Sequence, residues 1–475
     1  QQHPYVPRDL HLPDYVPCFL SQREIVLPYL VASLLLVTLI WLLSGRCSTI
    51  TKTDRLLMCW WAFTGLTHII LEGYFAFTPE FYKEKTPHYL AEVWKEYSKS
   101  DSRYVSRDAA VVTAEGITAA IEGPACLLAV FAIASRKSYS YILQFAICLG
   151  QLYGCLVYFI TAYLDGDNFS ISPFYYWAYY IGANSPWVVI PNLIAIRSWK
   201  KICAARLVIA SSSAFVLFLY FRSQARIKPV SVSILSRAEA LTRKTHRVLV
   251  SESRRVMGVA AAEQQHPYVP RDLHLPDYVP CFLSQRDILL PYLAASLLLV
   301  ALIWLLSGRC SKITKTDRLL MCWWAFTGLT HIILEGYFAF TPEFYKEKTP
   351  HYLAEEYSKG DSRYVGRDAA VVTVEGITAA IEGPACLLAV FAIASRKSYS
   401  YILQFAICLG QLYGCLVYFI TAYLEGDNFS TSPFYYWAYY IGANSSWVVI
   451  PTLIAIRSWK KICAAFQAEK KMKTR

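Results

Sequence analysis

Residues 25–44 read IVLPYLVASLLLVTLIWLLS, twenty consecutive residues without a charged side chain. A helix needs about 20 apolar residues to cross the roughly 30 Å hydrocarbon core of a bilayer, so this stretch predicts a transmembrane helix. Similar stretches recur along the chain, which is 55% hydrophobic and only 17% charged, whereas a soluble domain carries about 25% charged residues. The sequence therefore predicts an all-α, polytopic membrane protein.

The chain of 475 residues contains one unit twice. Residues 1–5 (QQHPY) recur at residues 264–268, and the two units are nearly identical. A period of this length indicates a tandem pair of whole domains rather than a solenoid. We predict copy 1 over residues 1–205, a linker over residues 206–263 and copy 2 over residues 264–475.

Five transmembrane helices are predicted in each copy, which gives two five-helix bundles in tandem. In copy 1 the spans lie at about 25–44, 56–77, 109–135, 139–163 and 173–196. Basic residues follow spans one, three and five, whereas the loop after span four has acids and no Lys or Arg. The positive-inside rule then places the amino end in the lumen and the carboxyl end in the cytosol. These membrane flanks also account for the net charge of +12, so no nucleic-acid partner is expected.

An odd number of spans creates a topological problem at the linker. Copy 2 can insert in the same direction as copy 1 only if the linker also crosses the membrane. Residues 207–221 are apolar apart from three serines and are bounded by Arg206 and Arg222, so they are a candidate for an eleventh, short transmembrane helix. The alternatives are an inverted second copy and a fusion that does not exist as one chain.

The carboxyl terminus carries Lys471 and Lys473, the fifth and third residues from the end. This spacing resembles a cytosolic dilysine retrieval signal and predicts the endoplasmic reticulum membrane. A generic basic membrane flank is an equally good interpretation.

Ionisable side chains inside a predicted span are costly, so each is a functional candidate. In span two, His68 and Glu72 are four residues apart and share a helical face. A neighbouring Glu stabilises the imidazolium form of His, which suits a proton donor. One His and one Glu form a weak metal-ligand set, and a purely structural polar pair remains an alternative.

Three further spans carry polar side chains on one predicted face. These are Glu115, Thr118 and Glu122 in span three, Gln144, Gln151 and Tyr158 in span four, and Asn184 and Trp187 in span five. Because lipid would reject them, we expect them to line an enclosed, partly aromatic cavity that suits a flat apolar ligand. An acid there could protonate a carbon–carbon double bond, and a Trp face could stabilise the resulting cation. No catalytic triad, phosphate-binding loop or nicotinamide fingerprint is present in the sequence.

The motifs of the chain resemble those of the emopamil-binding protein family of sterol Δ8–Δ7 isomerases, within the EXPERA superfamily, and plant members most of all. The matching stretches in copy 1 are residues 3–5 (HPY), 41–46 (WLLSGR), 68–73 (HIILEG), 94–99 (WKEYSK), 101–104 (DSRY), 115–118 (EGIT), 150–154 (GQLYG) and 184–187 (NSPW). The resemblance covers nearly all of each copy and excludes the linker.

The resemblance implies a five-helix fold with a cavity open to lipid, and neither a cofactor nor a metal. It implies a sterol substrate that is protonated at C9, passes through a C8 cation and loses a proton from C7. It also implies that cationic amphiphilic amines bind in the same cavity, because they mimic that cation.

Residue roles follow from the same resemblance. His68 and Glu72 would handle the proton, Glu115 would counter the cation or shuttle the proton, and Trp187 would face the cation. Thr118 would orient Glu115, and Asn184 would position the sterol or the acid. The counterparts in copy 2 are His331, Glu335, Glu375 and Trp447 for catalysis, and Thr378 and Asn444 for substrate binding.

Three departures distinguish the copies from each other or from the family pattern. Copy 2 lacks three residues that align with Val93-Trp94-Lys95, which predicts an impaired or less stable second copy. Pro186 in copy 1 corresponds to Ser446 in copy 2. Glu122 and Glu382 add a carboxyl group on span three.

Two alternatives to the isomerase remain open on the sequence. The first is a non-catalytic membrane protein of the same superfamily that binds sterols or amines, and the second is a transporter built from two repeats. The combined presence of His68, Glu72, Glu115, Asn184 and Trp187 favours the enzyme. The sequence does not decide whether the two copies pack on each other or form dimers with a second chain.

Overall fold

The computed structural model describes residues 3–221, 266–309, 311–346 and 352–473, with backbone alone for residues 207–221 and 473. Within these ranges the chain is helical and contains no β-strand. Nine of the described helices are long and apolar enough to cross a membrane. The predicted all-α, two-repeat membrane architecture is confirmed.

Copy 1 is built from five long helices and one short one. They are α1 (Gln22–Gly45), α2 (Lys52–Phe77), the short α3 (Tyr89–Tyr97), α4 (Ala109–Ala134), α5 (Ser140–Leu164) and α6, which begins at Pro173–Tyr175 and has Ser185–Phe221 as its main part. A single 3₁₀ turn, Phe81–Lys83, and the four-residue helix Arg103–Ser106 lie in the loop around α3.

Copy 2 repeats the same order. Its helices are α7 (Gln285–Gly308), α8 (Lys315–Phe340), α9 (Leu353–Ser358), α10 (Ala369–Ala394), α11 (Ser400–Leu424) and α12 (Pro433–Met472). The counterpart of α3, helix α9, has six residues instead of nine.

The first helix of each copy lies at the periphery of its bundle. Ser21 and Glu24 form a capping box that starts α1, which satisfies backbone N–H groups at the helix end. Only Ile25 and Ser44 of α1 are buried, whereas Leu34 and many other apolar side chains are exposed. An exposed apolar surface of this extent suits contact with lipid.

Helices α2 and α4 pack closely because glycine stands at their crossing. A Cβ atom at Gly65 would lie 2.9 Å from Cβ of Cys126 and 3.0 Å from the carbonyl oxygen of Gly123. Small residues allow two helix backbones to approach within a membrane. This close approach brings the middle of α2 against the middle of α4, where most of the predicted site residues lie.

Each copy contains three π-helical segments inside its long helices. In copy 1 they are His68–Glu72 in α2, Thr118–Glu122 in α4 and Tyr176–Ala183 in α6, and in copy 2 they are His331–Glu335, Thr378–Glu382 and Tyr436–Ala443. Short π segments occur frequently at functional sites. The four-residue spacing of His68 and Glu72 therefore belongs to a π turn and not to the α-helical turn assumed from the sequence.

The two copies pack on each other through α5 and α11, near an approximate twofold axis. The rings of Tyr153 and Tyr413, which occupy equivalent positions, lie 4.8 Å apart. Two reciprocal contacts, Tyr139–Trp459 and Trp199–Tyr399, each have ring centroids 6.3 Å apart. Reciprocal pairs of this kind are the mark of an isologous interface.

The symmetry fixes the relative direction of the copies. Tyr139 begins α5, and its partner Trp459 lies near the end of α12, in the same layer where Phe145 and Trp199 meet within copy 1. Contacts between equivalent layers mean that both copies point the same way across the bundle. The inverted arrangement considered from the sequence is not the one in this structure.

The predicted linking helix at 207–221 is helical, but it does not form a separate element. It continues α6 without a break, so that one helix runs over Ser185–Phe221. A helix of 37 residues is about 55 Å long, which is longer than one bilayer crossing requires. The rest of the predicted linker, residues 222–263, lies outside the described residues.

Candidate functional site

A cavity of about 1040 Å³ lies inside copy 1, and all six helices contribute to its wall. It contains all the residues of copy 1 that were predicted for the site, namely His68, Glu72, Glu115, Thr118, Asn184 and Trp187. Its volume is at the upper end of the range for small-molecule sites. The structure thus brings together residues that are up to 119 positions apart in the sequence.

His68 is the most enclosed of these side chains, with 2% of its surface exposed. Its Nδ1 atom lies 2.5 Å from Oε2 of Glu72. Its Nε2 atom lies 3.0 Å from the Gln151 amide nitrogen and 3.3 Å from the Thr64 hydroxyl. Both ring nitrogens therefore have partners, so the imidazole orientation is fixed from two sides.

The carboxyl group of Glu72 connects α2 to α4. Besides His68, its Oε2 atom accepts a hydrogen bond from the Thr118 hydroxyl. The Glu72 and Glu115 side chains lie close enough to interact, and Oε1 of Glu115 accepts a hydrogen bond of 2.5 Å from the Tyr104 hydroxyl. Imidazole, two carboxyl groups and a hydroxyl thus form one continuous polar cluster on the cavity wall.

Aromatic rings form the wall beside this cluster. The indole N–H of Trp187 donates to the Thr64 hydroxyl at 2.8 Å, and its ring centroid lies 6.3 Å from that of His68. Trp60 and Phe63 lie 5.8 and 6.1 Å from the same indole. Three aromatic faces therefore adjoin the acid cluster in an otherwise apolar cavity, where a cation would be stabilised by the rings.

Asn184 belongs to a second polar region of the cavity wall. Its amide nitrogen donates to the Tyr97 hydroxyl at 3.0 Å and to the Tyr180 carbonyl at 2.8 Å. Gln22 of α1 donates to the Tyr179 hydroxyl at 2.8 Å nearby. Asn184 directly follows the π segment of α6, and this position turns its side chain toward the helix α3.

Copy 2 reproduces the acid cluster. His331 lies 2.5 Å from Glu335 and 3.0 Å from Gln411. Glu335 accepts a hydrogen bond from the hydroxyl of Thr378, and Glu375 accepts one from the hydroxyl of Tyr364. Two contacts differ, because the indole nitrogen of Trp447 and the hydroxyl of Thr327 have no hydrogen-bond partner, whereas Thr64 of copy 1 contacts both Trp187 and His68.

Comparison with known proteins now identifies the fold family. A family model described as EXPERA (EXPanded EBP superfamily) matches residues 89–198 and again residues 350–458. A rice protein named probable 3-beta-hydroxysteroid-Delta(8),Delta(7)-isomerase is 73% identical over 209 residues, which are 43% of this chain and 95% of that protein. The chain belongs to the EXPERA family.

Other relatives of this EXPERA protein carry related names. A probable isomerase of the same name from Arabidopsis thaliana is 68% identical over 203 residues, which cover 43% of the chain and 90% of the relative. The protoglabretal synthase of Ailanthus altissima is 55% identical over 204 residues, 43% of the chain and 93% of the relative. Each relative thus has the length of about one EXPERA copy.

Two predicted members of the polar face lie outside the cavity wall. Glu122 is 4% exposed, neither of its carboxyl oxygens has a hydrogen-bond partner, and Oε1 lies against Gly150. Gln144 instead accepts from the indole of Trp61 at 3.3 Å. The prediction that both line the EXPERA cavity was wrong. For Glu122 the reason is the π turn at Thr118–Glu122, which rotates the positions that follow Thr118, whereas Gln144 lies near the start of α5, below the cavity-lining Gln151.

The short helix α3 forms part of the cavity wall through Trp94. Its indole stacks on Tyr104 at 5.0 Å, contacts Phe75 at 4.9 Å and donates to the Leu71 carbonyl at 2.8 Å. The next residue, Lys95, is fully buried and lies 3.1 Å from the equally buried Glu92. Glu92 also accepts from the backbone N–H groups of residues 19 and 20, which ties α3 to the start of α1.

The three-residue deletion in copy 2 changes the register of this helix. Equivalent hydrogen bonds run from Tyr5 to the carbonyl of Lys95 and from Tyr268 to the carbonyl of Glu355. Ser98 and Ser358 likewise bond to the carbonyls of Trp94 and Ala354, at 2.6 and 2.7 Å, respectively. The positions of Trp94 and Lys95 are therefore filled by Ala354 and Glu355, and the helix is shortened at its start. The predicted deletion of three residues is present, but in the structure it falls at the start of the helix rather than at Val93-Trp94-Lys95.

Sequence reasoning did not assign roles to three residues that support the cluster. Tyr104 holds Glu115, Thr64 links His68 to Trp187, and Tyr97 accepts from Asn184. Thr64 could have been found, because it lies four residues before His68 on the same helix. Tyr97 and Tyr104 lie in the loop between spans, and only the fold brings them to the cavity.

The described residues contain no group of three or more His, Cys, Asp or Glu side chains that could hold a metal ion. Independently of this, the imidazole and carboxyl groups of the EXPERA cavity are suited to proton transfer beside an aromatic wall.

Proposed function

We propose that the protein is a sterol isomerase that moves a ring double bond from the Δ8 to the Δ7 position. The observation that carries the proposal is the polar cluster of His68, Glu72, Thr118 and Glu115, which shares one cavity with the indole of Trp187. The rice, Arabidopsis and rat relatives named 3-beta-hydroxysteroid-Delta(8),Delta(7)-isomerases, the last 36% identical, support the same reaction.

The reaction needs one proton to enter and one to leave. An acid of the cluster adds a proton to C9 of the Δ8 double bond, which leaves a tertiary cation at C8. A base then removes a proton from C7, and the electrons of that C–H bond form the Δ7 double bond. The sum neither consumes nor releases a proton, so the cluster returns to its starting state once the proton has moved between its members.

The side chains suit these steps in different ways. The cluster of Glu72, Glu115 and His68 can hold and pass a proton because Glu72 lies 2.5 Å from His68 and its carboxyl group interacts with that of Glu115. Trp187 lies on the adjoining wall, where its π face stabilises the cation at C8. Thr118 donates to the carboxyl group of Glu72 and so orients that acid, whereas Tyr104 orients Glu115.

In copy 2 we assign the same catalytic roles to His331, Glu335, Glu375 and Trp447, and the same binding roles to Thr378 and Asn444. The cavity also suits cationic amphiphilic amines, since their charge would take the place of the C8 cation. We further propose that the chain is a multi-pass protein of the endoplasmic reticulum membrane.

The proposal is tested by expressing the full chain in cells that lack their own isomerase and supplying a Δ8-sterol to isolated membranes. Mass spectrometry should detect the Δ7 isomer. Binding of the sterol without any Δ7 product would instead indicate a non-catalytic sterol-binding protein.

A further inference from the structure

The two copies differ at the short helix α3, which forms part of the cavity wall in copy 1 and corresponds to α9 in copy 2. In copy 1, Trp94 is 5% exposed, lines the cavity and stacks on Tyr104, which holds Glu115. In copy 2 the corresponding backbone position belongs to Ala354. An indole on the cavity wall is thereby reduced to a methyl group.

The residue just before Ala354 does not restore this bulk. One residue earlier in the helix, Val93 of copy 1 corresponds to Leu353, which is larger by one methylene group. Tyr364, the counterpart of Tyr104, retains its contact with Phe338 at 4.7 Å and still donates to Glu375. The acid cluster is thus preserved, whereas the side chain on the adjoining wall is smaller in copy 2.

The polar groups near Trp94 indicate how a sterol would lie. The Tyr97 ring lies 5.6 Å from that of Trp94, its hydroxyl accepts from the Asn184 amide at 3.0 Å, and all three residues line the cavity. A buried hydroxyl needs hydrogen-bond partners, so the 3-hydroxyl group of the sterol belongs beside Tyr97 and Asn184. Carbon C4 is bonded to the carbon that carries this hydroxyl, so substituents at C4 lie close to the helix α3, which carries both Tyr97 and Trp94.

We propose that residue 94 determines specificity at C4 of the sterol, so that Trp94 disfavours a 4,4-dimethyl substrate in copy 1 and Ala354 admits it in copy 2. The inference rests on the proposed isomerase function. One methyl group that fits or clashes in an apolar pocket changes selectivity by roughly tenfold or more. The two copies of one chain would then have different preferred substrates rather than one active and one inactive site.

The test uses the full chain with one copy silenced at a time. The substitution Glu375→Gln leaves copy 1 as the working site, and Glu115→Gln leaves copy 2. The ratio of kcat/KM for a 4,4-dimethyl Δ8-sterol to that for a 4-monomethyl Δ8-sterol is measured for each. We expect this ratio to be roughly tenfold higher for copy 2.

Exchange of the residues at positions 94 and 354 should change the sterol preference of each copy. Trp94→Ala in the copy 1 background should raise the ratio toward that of copy 2, and Ala354→Trp in the copy 2 background should lower it. Trp94→Phe, which retains a ring against Tyr104, provides a milder variant that should lie between the two if Trp94→Ala does not fold. Equal ratios in both copies, or ratios that do not respond to residue 94 in folded variants, would overturn the inference.

Failure of the underlying function gives a different result. If neither silenced chain converts either sterol, the isomerase proposal itself is wrong. If both sterols are converted with unchanged selectivity, only the assignment of Trp94 is wrong.

Discussion

The Nδ1 atom of His68 lies 2.5 Å from Oε2 of Glu72, within a π turn of α2. The same carboxyl oxygen accepts the hydroxyl of Thr118 from α4, so that Glu72 holds two helices and one imidazole in place. Positioned proton transfer contributes about 10²–10⁴-fold to a rate. With copy 2 silenced by Glu375→Gln, we expect Glu72→Gln to lower kcat for Δ8-to-Δ7 conversion by about 10²-fold or more.

The matched control for that variant is Thr113→Val. Thr113 is buried on α4 two residues before Glu115, and its hydroxyl has no hydrogen-bond partner. Its loss should leave kcat within a few-fold of the parent chain. If Glu72→Gln were equally harmless in a folded protein, Glu72 would have no part in proton transfer.

Replacement of Glu122 by an apolar residue should stabilise the protein. Both of its carboxyl oxygens are buried without partners, and an unsatisfied buried polar group costs about 1–3 kcal/mol. We expect Glu122→Met, an unbranched substitution, to raise the free energy of unfolding by about that amount and to leave turnover within a few-fold. Thermal unfolding in detergent and the sterol assay measure the two effects. A loss of turnover in a well-folded variant would place Glu122 in the proton-transfer cluster.

Copy 2 should become less stable as pH rises, because of the register change in α9. Glu355 occupies the position of Lys95, one of its oxygens has no partner, and burial raises the pKa of its carboxyl group from 4.5 to about 8. A carboxyl group whose pKa is higher in the folded state stabilises the fold while it is protonated, and this contribution is lost as pH rises through about 8. We expect the unfolding midpoint to fall between pH 6 and pH 9, and Glu355→Gln to remove much of this fall.

The corresponding layer of copy 1 is stabilised by a buried ion pair instead. Lys95 and Glu92 form an ion pair with no exposed surface, and removal of one partner leaves an uncompensated buried charge. Lys95→Met should therefore destabilise copy 1 by about 3–5 kcal/mol at neutral pH.

A pH profile of Glu355→Gln identical to that of the parent chain would show that Glu355 is not buried as described.

Packing between the copies is tested at Gly154 on α5. A Cβ atom at this position would lie 2.7 Å from the hydroxyl oxygen of Tyr413 in the other copy. Overpacking of a filled interface costs about 1–3 kcal/mol, so Gly154→Ala should lower the unfolding midpoint. Gly376→Ala is the control, because its Cβ would meet its nearest neighbour, Cβ of Ala339, at 3.9 Å. Equal midpoints for the two variants would contradict the pairing.

Apolar periodicity and basic flanks were sufficient to predict the helices, because a bilayer imposes both the length and the polarity of a span. Spans two to four were predicted within a few residues of α2, α4 and α5. The sequence could not predict that residues 207–221 continue α6, since an apolar stretch after a basic flank is compatible with either a turn or a longer helix.

The sequence was sufficient to predict that polar residues inside the spans, such as His68 and Glu115, line one cavity. The candidate site was predicted poorly where π turns change the face of a helix, which is why Glu122 was misplaced. The sequence also could not predict the register of α9. Sequence alignment matches Glu355 with Glu92, whereas the hydrogen bonds at the end of the helix show that Glu355 occupies the position of Lys95.

The source of the proton that reaches the sterol provides the most direct test of the account. Membranes with the full chain are incubated with a Δ8-sterol in heavy water, and the Δ7 product is analysed for deuterium at C9. We predict one deuterium at C9 for the parent chain and no labelled product for the double variant Glu115→Gln, Glu375→Gln, even though it still binds sterol. Labelled product at the parent rate from the double variant would contradict the central claim that these carboxyl groups, beside their imidazole and indole neighbours, carry the reaction.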